Sequence, residues 1–351
     1  MSVASRPVRQ LLPLLAAGSF LAAGCVRPLA TARMSPAEPL APAEIQARAA
    51  VDHAACSPQL GFLFPGLGQL CLRETGRGAA LASLAAAEIG GAVAVGVKVD
   101  DSDHPGVALP LTAVQDLWAY GVADVFITQQ LAAAQRYAPR DTAADLVAAP
   151  FNLEVLKRPA VWGGIAVAVA VGVTASVLVA KGDEFDPDRA GQDPNLFGER
   201  VDARYGYPLG FAAGAGLFAH VAMAEETLFR GYIQSSMARA RGENAGWVGA
   251  SLLFGAAHIA NVLVLPEEDR VDYLVYGLPV ITAAGFYMGW LYRDAGYSLA
   301  PSTAAHFWYD FLLTSALFVI DPENSLFSAQ IAVPFCAGMW PISPAVPPAP
   351  S

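Results

Sequence analysis

Ala224-Glu225-Glu226-Thr227-Leu228-Phe229-Arg230-Gly231 lies inside an apolar run that extends from 207 to 235. A run of about 20 apolar residues suffices to cross a bilayer. A charge at the centre of such a helix costs on the order of 2.5–3.5 kcal/mol on insertion scales, so charges kept there are functional candidates. Glu226 and Arg230 are four residues apart, share a helix face and can neutralise each other. Glu225 points about 100° away from Glu226 and is left to face a cavity.

The rest of the chain has the same character. Of its 351 residues 55% are hydrophobic and 15% charged, against about 25% charged in ordinary soluble domains. Apolar runs fall near 58–72, 78–98, 106–132, 159–180, 207–235, 246–264, 271–293, 298–320 and 326–341. In lipid each must be helical, because every backbone N–H and C=O needs an internal partner. The expected fold is all-α: a polytopic transmembrane bundle of about eight helices. The segment 57–158 forms an N-terminal membrane region, and 159–206 a membrane helix with an acidic external loop. The catalytic-type residues fall in 207–320, and 321–351 is a hydrophobic segment and tail.

The net charge of −10 resides in short loops. No basic stripe is present, and nucleic acid is not an expected partner. The four cysteines, Cys25, Cys56, Cys71 and Cys336, show no CxxC spacing, so neither a zinc knuckle nor a disulfide framework is expected. Residues 1–25 read as a targeting segment: Arg6 and Arg9, then an apolar stretch, then Leu21-Ala22-Ala23-Gly24-Cys25. This resembles a bacterial lipoprotein signal with Cys25 as the lipidated residue, although Ala22 stands where leucine is usual. The other reading is an uncleaved first transmembrane helix. Residues 26–56, rich in Ala and Pro, read as a tether.

Basic loops alternate with acidic ones. Arg73 and Arg77, then Arg136, Arg140, Lys157 and Arg158, then Arg239 and Arg241, then Arg293, share one side. Asp100, Asp101 and Asp103 and the acids of 181–204, 267–269 and 321–323 share the other, where Lys181, Arg189, Arg200 and Arg204 count against the asymmetry. The positive-inside rule makes the basic side cytoplasmic. The expected location is a bacterial cell membrane, with the pocket nearer the cytoplasm.

Two further helices carry ionisable groups. One reads Phe254-Gly255-Ala256-Ala257-His258, the other His306-Phe307-Trp308-Tyr309-Asp310. Each end pair is four residues apart and shares a face. Glu225, His258 and His306 each lie about ten to twelve residues from the basic side, or some 15–18 Å at about 1.5 Å per residue. Helices of alternating direction thus bring an acid and two imidazoles to one layer.

The EExxxR of Glu225, Glu226 and Arg230, the FxxxH of Phe254 and His258, and the HxxxD of His306 and Asp310 resemble the successive motifs of the CAAX-protease and bacteriocin-processing family. The resemblance covers roughly 207–320. It implies an intramembrane endopeptidase acting on a membrane protein or lipidated peptide within the bilayer. It implies that Glu225 activates a water with help from His258, that His306 and Asp310 stabilise the oxyanion, and that Glu226 and Arg230 orient the first helix. Better-studied members often have Asn where this chain has Asp310. An ionised Asp cannot donate to an oxyanion, so Asp310 is expected either to stay protonated or to orient His306.

Three rivals remain. The same acids and imidazoles would serve as zinc ligands in a metalloprotease, although HExxH is absent; no cofactor is expected otherwise. A scaffold or immunity protein is the second. A serine enzyme built on Ser302 is the weakest, since Ser302 and Thr303 read as helix-start residues after Pro301. Asp116 and Asp124 are expected to pair across helices or line a cavity. His220 is expected to pack, and His53 and His104 to be solvated.

Overall fold

The computed structural model describes residues 58–99, 105–133, 135–179, 187–196, 199–263, 265 and 267–323. The signal-like segment with Cys25, the tether, His53, His104 and the run at 326–341 lie outside the described residues. Among the described residues helices dominate, and the one sheet is a hairpin of two strands of two residues each.

A 3-10 turn (Pro58–Phe62) precedes the short helix α1 (Leu67–Cys71). The long helices α2 (Thr75–Val99) and α3 (Pro105–Ala132) follow. The turn between the 3-10 segment and α1 needs Gly66, whose φ is 90°. A Cβ there would lie 2.2 Å from the carbonyl oxygen of Gly78 on α2. The Pro65-Gly66 break therefore serves close backbone packing, as small residues do between membrane helices.

Next come α4 (Ala143–Ala148), α5 (Leu153–Leu156) and α6 (Pro159–Val179). Thr142 and Asp145 cap α4 reciprocally, which satisfies backbone N–H groups that the first turn leaves orphaned. A hairpin of β1 (Asn195–Leu196) and β2 (Glu199–Arg200) leads to α7 (Ala203–Glu225). The helix then continues through a π-helical stretch, Glu226–Gln234, into α8 (Ser235–Arg241). After α9 (Glu243–Ala257), a 3-10 turn, His258–Leu263, leads to α10 (Glu267–Asp272). Another π turn joins α10 to α11 (Leu278–Asp294), and α12 (Ala300–Ile320) completes the bundle.

Five of the described helices are long and apolar enough to cross a membrane: Thr75–Val97, Ala203–Arg241, Glu243–Leu263, Asp269–Asp294 and Ala300–Ile320. The all-helical membrane fold is as expected, and these five are the spans found among the described residues, so the expected count of about eight is not confirmed. The apolar part of α6 is shorter, Pro159–Thr174. Helix α3 spans 28 residues but carries Gln115, Asp116, Asp124, Gln129 and Gln130, which lower its hydropathy. The run at 58–72 breaks into the 3-10 turn and α1. Val93, Val97, Leu209, Leu252, Leu253 and Val319 point outward and exposed, which suits lipid. The protein is a multi-pass membrane protein.

Helix α7 packs against α3 and α12, α9 against α11, and α12 also against α6. One apolar cluster joins α6, α11 and α12 through Ile165, Tyr287, Leu291, Tyr309 and Leu313. A second joins α2, α3 and α7 through Leu81, Leu117 and Ala224. Asp124 of α3 is held by Arg77 at 2.6 Å and Gln69 at 2.9 Å, so it pairs across helices as expected.

One cysteine expectation is corrected. Cys71 is disulfide-bonded. Spacing along the chain detects only local cysteine motifs, whereas a bridge needs proximity in space.

Candidate active site

The site forms where α7, α9 and α12 converge. Glu225 is the last α-helical residue of α7, and Glu226 opens the π stretch. Wide turns of this kind recur at functional sites, because they redirect side chains without breaking the helix. Both carboxylates are buried.

His258 sits at the C-terminal end of α9, where the helix tightens into its 3-10 turn. The Phe254 carbonyl lies 2.7 Å from its Nδ1. A carbonyl only accepts, so Nδ1 carries the proton and the neutral ring keeps its lone pair on Nε2. That Nε2 lies 3.9 Å from Glu225 Oε1. The Tyr273 hydroxyl donates to the His258 carbonyl at 2.8 Å and accepts from Asn261 at 3.0 Å. Tyr273 thus fixes the backbone that carries the imidazole.

His306 approaches from α12. Its Nε2 lies 3.7 Å from Glu225 Oε2 and 3.3 Å from Asp310 Oδ2. Its Nδ1 lies 2.9 Å from Glu226 Oε1. Both ring nitrogens therefore face carboxylates, and only the doubly protonated ring donates from both. The two imidazoles flank Glu225, one on each oxygen. At 3.7–3.9 Å they are too far for direct hydrogen bonds and within reach of a shared water.

Arg230 pairs with Glu226, Nε to Oε2, at 3.4 Å. The pair survives the π geometry although its spacing was read on an α-helix. Arg230 also donates to the Gly285 carbonyl at 3.1 Å and lies 4.3 Å over the Phe254 ring. Phe254 packs in turn against His258, ring centroids 4.6 Å apart. The FxxxH phenylalanine is thus a wall between the buried cation and the imidazole.

The structure brings together Glu225, Glu226, Arg230, Phe254, His258, His306 and Asp310. It separates His220, which lines a cavity on the α2 side with Asp116. Ser302 lies in the buried first turn of α12, where its hydroxyl donates to the Leu299 carbonyl and neighbours Glu226. Tyr273, Asn261 and Gly285 were not singled out by the sequence reading, and Ser302 was read only as a helix-start residue. Only the Gly285 spacing from Gly289 signalled a close helix approach. Among the described residues, no group of three or more His, Cys, Asp or Glu side chains is arranged to hold a metal ion.

Replacing Tyr273 with Phe removes the donor to the His258 carbonyl. A buried carbonyl left without its partner costs about 1–3 kcal/mol. Tyr273→Phe is expected to fold, melt lower, and lose activity through misplacement of His258. Thermal unfolding and turnover on the same sample check it, and unchanged turnover contradicts the positioning role.

Residues 208–312 match the family model described as Type II CAAX prenyl endopeptidase Rce1-like. No curated protein matches the chain, and no solved structure does.

Proposed function

We propose, on the premise that residues 208–312 belong to the CAAX-protease family, that this chain is an intramembrane endopeptidase using a glutamate-activated water. The observation that carries the proposal is the placement of Glu225 between His258 and His306, supplied by two other helices. Hydrolysis of an amide without a covalent intermediate needs a base for water, donors for the oxyanion and a proton for the leaving amine.

The geometry supports one distribution of roles. A water between Glu225 and His258 would give its protons to two acceptors, the carboxylate and the Nε2 lone pair. Glu225 takes one proton as the water attacks and returns it to the leaving nitrogen. His306 Nε2 is the donor aimed at the same space and takes the oxyanion. Glu226, through Nδ1, orients that ring. Asp310 flanks Nε2 and acts through His306, so it need not donate itself. Glu226 therefore has two tasks, pairing with Arg230 and aligning His306.

The substrate is a membrane-associated or lipidated peptide, because the site is buried in a bundle with lipid-facing walls. Cleavage assayed with candidate membrane peptides, wild type against Glu225→Ala, tests the proposal. New termini seen by mass spectrometry only with wild type support it. Cleavage by both would remove the assigned base, and cleavage by neither at any substrate would favour the scaffold reading. The mechanism is metal-free. Activity lost on chelation and restored by zinc would shift these residues to the ligand role.

The basic side of the bundle is placed in the cytoplasm of a bacterial cell. The Cys71 disulfide, near Arg73 and Arg77, opposes this, since such bonds persist in oxidising compartments. The nine basic residues on that side outweigh one bridge. Glu243 is exposed at the α8–α9 turn. A Glu243→Cys thiol is expected to react with an impermeant maleimide only after cells are opened. Labelling of intact cells would reverse the orientation.

A further inference from the structure

We infer that the cavity between α2, α3 and α7 is a subsite for an apolar side chain of the cleaved peptide, with Asp116 as the acceptor for that residue's backbone N–H. The inference rests on the hydrolase reading above.

The cavity has a volume of about 220 Å³, and Leu81, Leu84, Leu117, Met223, Asp116 and His220 are among its lining residues. Sites for whole small ligands run about 300–1,000 Å³, so this one takes part of a ligand. Its walls are mostly apolar, with Arg77 and Tyr120 also among the lining residues. Met223 and His220 precede Glu225 on α7 by two and five positions, so the cavity lies against another face of the helix that carries Glu225.

Asp116 links the cavity to the site. It is 4% exposed, and its Oδ2 is buried with no hydrogen-bond partner. The charged groups that act on it are Glu225 and His306. Asp116 thus lines the cavity while lying within electrostatic range of the acid–imidazole cluster. Asp124, two turns further along α3, has Arg77 and Gln69 as partners. Asp116 differs in that one oxygen awaits a donor. An unsatisfied buried carboxylate oxygen destabilises a fold and calls for an explanation. A ligand N–H supplies that donor, and a peptide carries one beside nearly every side chain. Helices α2 and α3 lie outside the matched segment 208–312, so this wall is an addition of the N-terminal region and gives that region a task in substrate selection.

Photocrosslinking tests this without turnover. The probe is a membrane-anchored Ala/Leu peptide of about 20 residues, with a photoreactive leucine placed at one position at a time. The bait is the full-length Glu225→Gln chain in phospholipid vesicles, with adducts mapped by mass spectrometry. Adducts on Leu81, Leu117 or Met223 are expected for a narrow range of probe positions. Leu84→Trp, which fills the cavity, and Asp116→Leu, which removes the acceptor, should each reduce them about ten-fold. Asp116→Asn, which keeps a carbonyl, should restore them; a merely structural Asp116 would show no such rescue. Adducts that fall elsewhere, or that persist in both variants, overturn the inference. Capture in the cavity without wild-type cleavage would remove the hydrolase reading and leave a binding site. Cleavage without capture would do the reverse.

Discussion

Glu225→Gln is expected to lower kcat for peptide cleavage by about 10²- to 10⁴-fold, the usual contribution of a positioned general base, with KM and thermal stability little changed. Glutamine keeps the shape of the side chain and a carbonyl oxygen, so the space between His258 and His306 is preserved. What it loses is the capacity to take a proton. Two imidazoles lie 3.7 and 3.9 Å from Glu225, whereas the buried Arg230 pairs with Glu226. Neutralising Glu225 therefore strands no buried arginine, which separates a catalytic loss from a folding loss. Steady-state kinetics and a melting curve on one preparation measure both. A variant that cuts at the wild-type rate leaves the proposal without its base. One that simply fails to fold is distinguished by the melt, and single-turnover rates for His258→Gln then test the same water from its other side.

Arg230→Met is expected to destabilise the protein by about 3–5 kcal/mol, the cost of removing one member of a buried ion pair. Arg230 is 1% exposed. It faces Glu226, the Gly285 carbonyl and the Phe254 ring at once. Its loss strands the Glu226 carboxylate and frees a carbonyl of α11. The double variant Arg230→Met with Glu226→Gln removes both charges and is expected to recover much of the stability, since a matched apolar or neutral pair can replace a buried ion pair at little cost. Recovery of fold without recovery of activity is the expected signature, because Glu226 also touches His306 at 2.9 Å. Chemical or thermal unfolding in detergent checks the ordering. A single variant as stable as wild type would show the pair to be dispensable.

Much of the site was legible because membrane helices obey strict rules. An apolar run must be helical, a helix has a fixed rise, and a charge inside it stands out against its background. Those rules put Glu225, His258 and His306 at one depth, and the structure places them in one cluster. The four-residue pairs, Glu226 with Arg230 and His306 with Asp310, are contacts within one helix and needed no fold. The number of spanning helices was less legible. Helix α3 is long but polar, and the 58–72 run is apolar but folds back on itself, so hydropathy and length disagree there.

Contacts between helices left no periodic mark. Glu226 reaching His306 eighty residues away, Tyr273 holding the His258 carbonyl and Arg230 stacking on Phe254 all depend on how helices rotate about their axes. The π stretch that starts at Glu226 sets part of that rotation, and no residue in ETLFRGYIQ announces it. Composition and spacing were enough to say that this chain lives in a membrane and carries an acid and two imidazoles at a common level. Which nitrogen faces which oxygen, and what lines the cavity next to them, came from packing, because side-chain direction depends on neighbours far away in the chain.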